Sequence, residues 1–279
     1  MINGGVLISQ DLSCAGQVSL SVALPVLSAS GLSPTILPTA ILSTHTGGFG
    51  KNTFLDLSSE MSKIMKHWQK IKLDFSAIYL GYLGKNALDF WINEIDQFKQ
   101  ENKLILIDPV MGDHGRLYRG IDQDYVIAMR KLIKSATILT PNLTEAAFLL
   151  GEKLNDCSIE DAASVAKKIA NRFGIPNVII TGISLTKDKI AEVGFSNNQS
   201  WSLIQNKLPG NYFGTGDLFA SAFLAAVMHQ QDLKISCSLA ANFVAQAIKQ
   251  TTEQDPRLGP NYAAALPDLL EKWRNNANI

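Results

Sequence analysis

The chain predicts an α/β fold in which a mostly parallel central sheet is covered by helices on both faces. Two observations carry this. Short runs that are apolar at every position, Val6-Leu7-Ile8, Ala77-Ile78-Tyr79-Leu80, Leu104-Ile105-Leu106-Ile107 and Val178-Ile179-Ile180, alternate with longer segments of helical period. A strand with no polar face is buried on both sides, as in a parallel sheet between two helix layers. In addition, no repeat, low-complexity tract or convincing linker interrupts the pattern, so residues 1–279 read as one domain.

The elements follow in order. After the strand at Val6, a mostly apolar helix is expected over Ala15 to Ser30, then a strand over Thr35 to Leu42. A glycine-rich loop, Thr44 to Thr53, leads to a helix over Leu57 to Ile71, with Met61, Ile64, Met65 and Trp68 on one face. Helices are expected over Ala87 to Gln100 and Tyr125 to Ser135, with a strand at Thr137-Ile138-Leu139. A short helix from Thr144 to Leu150 closes at Gly151, and one from Ile159 to Arg172 ends at Gly174 and Pro176. Ile190 to Phe195 and Trp201 to Ile204 form a hairpin about Asn197-Asn198, a pair suited to a tight turn with positive φ. Helices over Leu218 to Met228, Ile235 to Ile248 and Leu266 to Trp273 complete the chain.

Composition narrows the function. Lys plus Arg and Asp plus Glu are 25 each, which leaves no electrostatic footprint for nucleic acid or an anionic membrane. The three cysteines are widely spaced, without metal-ligand or redox spacing, and read as thiols of a reduced, cytoplasmic protein. The apolar segment near Val18 lacks a preceding basic residue and so reads as a buried helix rather than a leader. His45, His67, His114 and His229 show no ligand spacing, and Trp68, Trp91, Trp201 and Trp273 read as packing residues. There is no Walker-type phosphate loop, no dinucleotide fingerprint after the first strand and no nucleophile elbow.

In open parallel sheets, ligands bind beyond the carboxyl ends of the strands. Those positions carry Ser9-Gln10-Asp11, Ser43-Thr44-His45-Thr46-Gly47, Gly81-Tyr82-Leu83-Gly84, Asp108-Pro109-Val110-Met111-Gly112-Asp113, Thr140-Pro141-Asn142-Leu143-Thr144-Glu145 and Thr181-Gly182. The carboxylates Asp108, Asp113, Glu145 and Asp217 sit at or just past strand ends, where they suit a Mg²⁺ that keeps much of its water. Each also has a plainer role open to it, as a turn residue or as a first-turn acid favoured by the helix dipole. Gly214-Thr215-Gly216-Asp217 precedes an apolar run and reads as a glycine turn feeding a helix. The free N–H groups of such a start attract phosphate, and Asp217 adds a carboxylate beside them. An anion cradle with an adjacent base is what phosphoryl transfer to an alcohol requires.

Taken together these segments resemble the ribokinase-like superfamily, and within it the pyridoxal/pyridoxamine kinase family, in family order from about Val6 to Trp273. The resemblance implies an ATP-dependent kinase acting on the 5′-hydroxyl of a vitamin B6 vitamer. It implies Asp217 as base and the N–H groups of Gly214, Thr215 and Gly216 as phosphate holders. Glu145 would organise Mg²⁺ through water; Asp113, Tyr118, Thr140, Asn142 and Thr181 would lie along ATP; Asp11, Thr46 and Tyr82 would line the vitamer pocket. The family is commonly a homodimer and often assisted by K⁺. Several members carry Ser where Asp11 stands, and an acid there favours a cationic partner, either the 4′-ammonium of pyridoxamine or a protonated ring nitrogen. Hydroxymethylpyrimidine kinase and a non-catalytic vitamer-binding regulator are the other readings.

Overall fold

Eight strands form the central sheet, in the spatial order Gln199–Asn206, Lys189–Ser196, Asn177–Thr186, Ile138–Leu139, Leu104–Ile107, Ala77–Leu80, Val6–Ser9, Pro34–Ile36. The six from Asn177–Thr186 to Pro34–Ile36 are mutually parallel. The other two are antiparallel and hang on one edge as hairpins. The computed structural model describes residues 2–99, 103–154, 157–252 and 254–276. Gln100, the expected end of one helix, and the Trp273 side chain fall outside what is described.

Alternation within the apolar strands feeds two cores. Leu7, Ile78, Leu80, Ile105 and Ile107 face one layer, which holds α2 (Ser58–Lys70), α3 (Lys85–Glu94), α4 (Gln123–Leu132), α5 (Leu143–Leu150) and α6 (Ile159–Phe173). Val6, Ile8, Ala77, Tyr79 and Leu106 face the other, built from α1 (Leu20–Ala29), α7 (Thr215–Met228), α8 (Leu233–Lys249) and α9 (Leu266–Asn276). That two-sided burial is why these strands carry no polar face. α7 is buried around its whole circumference, from Leu218 to Ala226, so it runs as a rigid rod under the sheet.

The parallel register sets the strand ends in one row. Ser9 pairs with Leu80, Leu80 with Ile107 and Ile107 with Leu139. The ladder continues one step as Gly81, Asp108 and Thr140 donate N–H to Ser9, Leu80 and Ile107. Gln10, Gly81, Asp108 and Thr140 therefore emerge side by side along one edge.

Several elements differ from the sequence expectation, each for a local reason. The helix expected from Ala15 begins at Leu20. Its upstream N–H groups are taken by distant acceptors, Gln17 to Leu258 C=O and Ser19 to the Asp217 carboxylate, so the chain stays extended. The strand expected over Thr35 to Leu42 is two strands in two sheets, because Pro38 interrupts it and supplies no N–H. Its second half, Ala40–Leu42, joins Leu12–Ser13 and Phe54–Asp56 in a small three-stranded sheet that was not anticipated. The helix expected from Ala87 starts at Lys85, and after Glu94 it tightens to a 3₁₀ turn over Ile95–Phe98. The strand read as Val178 to Ile180 extends to Thr186 through a register shift, so Thr181 and Gly182 lie within it. The Asn197-Asn198 turn is as expected, both residues having positive φ.

The two-layer core makes one plain prediction. Phe223 on α7 is fully buried and lies 5.9 Å, ring to ring, from Phe219. Phe223→Ala should lower stability by about 3–5 kcal/mol through lost burial and an unfilled cavity, read by urea unfolding.

Candidate active site

Gly214 is where the site begins. It caps α7 at φ 78°, and a Cβ there would stand 2.2 Å from the Gln17 carbonyl oxygen. Only glycine permits both the left-handed turn and the close passage of residues 14–19. The first intrahelical bond runs from Leu218 N–H to Gly214 C=O, so the N–H groups of Thr215, Gly216 and Asp217 precede it. They form the positive end of a buried 14-residue helix.

Asp217 sits in the first turn of α7, its Oδ2 accepting the Ser19 N–H at 2.9 Å. Burial pushes its carboxyl up to about 7; the Ser19 hydrogen bond pulls against this, and the charge of Asp11 adds to it. A carboxyl balanced near neutrality is suited to take a proton from a substrate.

Asp108 faces the same turn from the strand row: a Cβ on Gly216 would stand 4.0 Å from its Oδ2. Burial raises Asp108 well above the usual carboxylate range, and the charges of Glu145 and Asp217 raise it further. Glu145 is buried as well, and both its oxygens are engaged. Oε2 accepts the Asn142 N–H and Oε1 the Met111 N–H, while Asn142 Oδ1 accepts the Glu145 N–H to complete a capping box. Burial still lifts Glu145 to about 8 against those backbone donors.

The predicted residues separate into groups. Asp11, Thr46, Tyr82, Tyr118, Gly214 and Asp217 line one cleft enclosing about 510 Å³, its open mouth included. Thr140 is buried in the strand row with no partner for its hydroxyl. Asn142 is engaged at both ends, its Nδ2 donating to Gly112 C=O. Thr181 is bridged to Asn142 at the neighbouring strand end. Asp113 lies exposed on the Gly112–Asp113 ribbon, accepting from the N–H of His114 and standing 3.0 Å from its Nδ1.

The cleft also recruits residues that sequence reasoning did not assign: Val18, Ser19, Leu42, His45, Gly47, Val110 and Phe213. His45 had been read as one of four scattered histidines. It packs 4.6 Å from the Phe213 ring, accepts the Gly47 N–H at Nδ1 and donates from Nε2 to Arg257 C=O. The signal that could have found it is its place in His45-Thr46-Gly47, beside an assigned residue. Phe213 immediately precedes the glycine turn, which was a similar hint.

The glycine loop closes over this cleft. Arg119 holds Gly50 C=O and Asn52 Oδ1, while Arg257 donates to Gly48 C=O and lies 4.8 Å from the Phe49 ring centroid. Among the described residues no helix is long and apolar enough to cross a membrane.

A parallel sheet whose strand ends face a helix-start anion site and a buried carboxyl is the arrangement of a small-molecule kinase. The family model described as phosphomethylpyrimidine kinase matches residues 24–261. A Bacteroides thetaiotaomicron structure, provisionally assigned as a phosphomethylpyrimidine kinase and crystallised with pyridoxal, is 36% identical with a TM-score of 0.90, over 96% of this chain and 95% of that one. The pyridoxal kinase of Lactobacillus plantarum is 32% identical with a TM-score of 0.88, over 98% of both chains. The pyridoxine/pyridoxal/pyridoxamine kinase of Bordetella avium is 27% identical over 257 residues, 86% of this chain and 83% of that one. The chain belongs to the phosphomethylpyrimidine kinase family.

Two predictions follow from the geometry. The folded state holds the Asp217 proton up to about pH 7, whereas an unfolded Asp releases it near 3.8. The folded state thus binds more protons between these values, and stability falls as pH rises through the window. Asp217→Asn removes this dependence, so its melting temperature relative to the parent should climb from pH 4 to pH 7 and then level. Arg119→Ala should release the glycine loop, seen as faster tryptic cleavage at Lys51 with the melting temperature unchanged; an unaltered cleavage rate would mean that Arg119 does not restrain it.

Proposed function

We propose that this chain transfers the γ-phosphoryl group of ATP to the 5′-hydroxymethyl of a vitamin B6 vitamer. The observation that carries the reading is the pairing of Asp217 with the Gly214-Thr215-Gly216 turn beside the cleft. The same cleft has aromatic and apolar walls in Val18, Leu42, His45 and Phe213, suited to a planar ring. Similar proteins named as pyridoxal kinases, and one crystallised with pyridoxal, support the choice of substrate.

In this reading the vitamer hydroxyl lies between Asp217 and the glycine turn. Asp217 takes its proton as the oxygen attacks the γ-phosphorus, and ADP leaves with the electrons of the broken P–O bond. The N–H groups of Thr215 and Gly216 hold the charge that grows on the transferring phosphoryl oxygens. Gly214 sets their direction. Tyr118, Thr140 and Thr181 lie toward the nucleotide, with Asp113 at the outer rim. Asn142 holds the loop on which Glu145 stands. Thr46 and Tyr82 border the ring, and loop closure by Arg119 and Arg257 keeps water from the phosphoryl group.

The residues fit a Mg²⁺ that arrives with the nucleotide. Among the described residues no group of three His, Cys, Asp or Glu side chains is placed to cage a metal. Asp108 and Glu145 are nevertheless buried acids, Asp108 raised by burial and by the charge of Glu145 and Glu145 by burial and by the charge of Asp113, a repulsion that a hydrated cation would relieve. They are the residues that would hold it, and when bound it supplies charge neutralisation at the phosphates.

The pyrimidine reading has one observation in its favour, the family's own description as phosphomethylpyrimidine kinase. A coupled ADP-release assay with pyridoxal, pyridoxine, pyridoxamine and 4-amino-5-hydroxymethyl-2-methylpyrimidine separates the two. Turnover is expected with the vitamers. Asp217→Asn should cut kcat by about 10²–10⁴-fold, the usual worth of a general base, with ATP binding retained; near-normal turnover would remove Asp217 from this role.

A further inference from the structure

Asp11 is a buried carboxyl with one oxygen left unpartnered in its cleft. Its side chain is 2% exposed. Ser13 Oγ donates to Oδ2 at 2.8 Å, and the Ser19 hydroxyl lies beside the carboxyl, while Oδ1 is buried with no hydrogen bond. The carboxyl caps no helix: α1 starts at Leu20, and no side chain caps its start at Ser19. No Lys or Arg lines the cleft. Both ring nitrogens of His45 are engaged away from Asp11, Nδ1 with the Gly47 N–H and Nε2 with Arg257 C=O. The Tyr82 hydroxyl, raised to about 12 by burial and by Asp11 itself, stays protonated. The remaining charged neighbour, Asp217, has the same sign. A buried acid of this kind is costly, burial raises it, and a positively charged group on the ligand would relieve that cost.

Resting on the vitamer reading above, we propose that Asp11 Oδ1 accepts the protonated ring nitrogen of a 3-hydroxypyridinium. The ring N–H is the cationic group that all three vitamers share, whereas an ammonium at the 4′ position belongs to pyridoxamine alone. Ser13 holds the other carboxyl oxygen, so one acceptor is left open. The pyridinium has one donor and meets one acceptor.

The test compares the parent enzyme with Asp11→Asn and Asp11→Ser on pyridoxine, pyridoxamine, the benzene analogue of pyridoxine (ring nitrogen replaced by C–H) and 4-amino-5-hydroxymethyl-2-methylpyrimidine. Both variants should lose roughly ten- to a hundredfold in kcat/KM on pyridoxine and pyridoxamine alike, mainly through KM, as expected for loss of one charge-assisted hydrogen bond. They should lose little on the benzene analogue, which cannot use the contact. The ultraviolet spectrum of bound pyridoxine should show the pyridinium form with the parent enzyme and lose it with Asp11→Asn. Equal losses on the benzene analogue would make Asp11 structural, and a loss confined to pyridoxamine would move its partner to the 4′ position; either overturns the assignment while the vitamer reading stands. Parent turnover of the aminopyrimidine in place of every vitamer would instead overturn the vitamer reading itself.

Discussion

The hydrogen bond from the Ser19 N–H to Asp217 Oδ2 joins residues 198 positions apart in the chain. The rest of the site depends on it. It holds the extended segment before α1 against the first turn of α7, and Gly214 is a glycine because that segment passes through the space a Cβ would take. It also fixes the Asp217 carboxyl at the end of the α7 dipole, where negative charge is favoured. Without that tie the base would be free to turn away from the cleft, and the Asp11 segment would lose its seat beside it.

Around that tie the molecule places several acids in a poorly hydrated region. Asp11, Asp108, Glu145 and Asp217 are all raised by burial, and Asp108 and Asp217 are raised further by the charge of another of the four. The cost is distributed unevenly. Glu145 is met by backbone N–H donors on both oxygens, so it contributes to holding the loop from Asp108 to Asp113 in place. Asp11 and Asp108 are less well met, and their cost falls when a cationic ring or a metal–nucleotide enters. Acids left under-compensated by the fold are therefore a preference for positively charged partners written into the free protein. The two apolar cores offset this cost and keep the strand row rigid enough to hold it.

Much of the frame was legible from local pattern. Runs apolar at every position could only be two-sided strands, and the helices between them had caps of familiar chemistry, such as Gly151 and Gly174 in the left-handed conformation. The Asn197-Asn198 hairpin followed from the tolerance of Asn for positive φ. Legibility ended where backbone groups took distant partners. Nothing local in residues 15–19 announces that their N–H groups go to Leu258 and Asp217 and not to a helix. The small sheet of Leu12–Ser13, Ala40–Leu42 and Phe54–Asp56 was likewise hidden, since each strand is only two or three residues long.

For the site, the sequence by itself determined which chemistry stands at each strand end, because the residue after an apolar run must emerge from the sheet there. Asp11, Asp108 and Thr140 were readable in that sense, and Asp217 from the glycine turn that opens its helix. What only the tertiary structure decided is which of them share a space and what each still has to offer. Parallel register set Gln10, Gly81, Asp108 and Thr140 in one row, and the crossing of residues 14–19 over α7 put Asp11 and Asp217 in one cleft with His45 and Phe213. Glu145 and Asp11 are both acids next to a strand end in the sequence. In the folded chain Glu145 is met on both oxygens and Asp11 on one. That difference is a count of neighbouring donors, and donors are brought by parts of the chain far away in sequence.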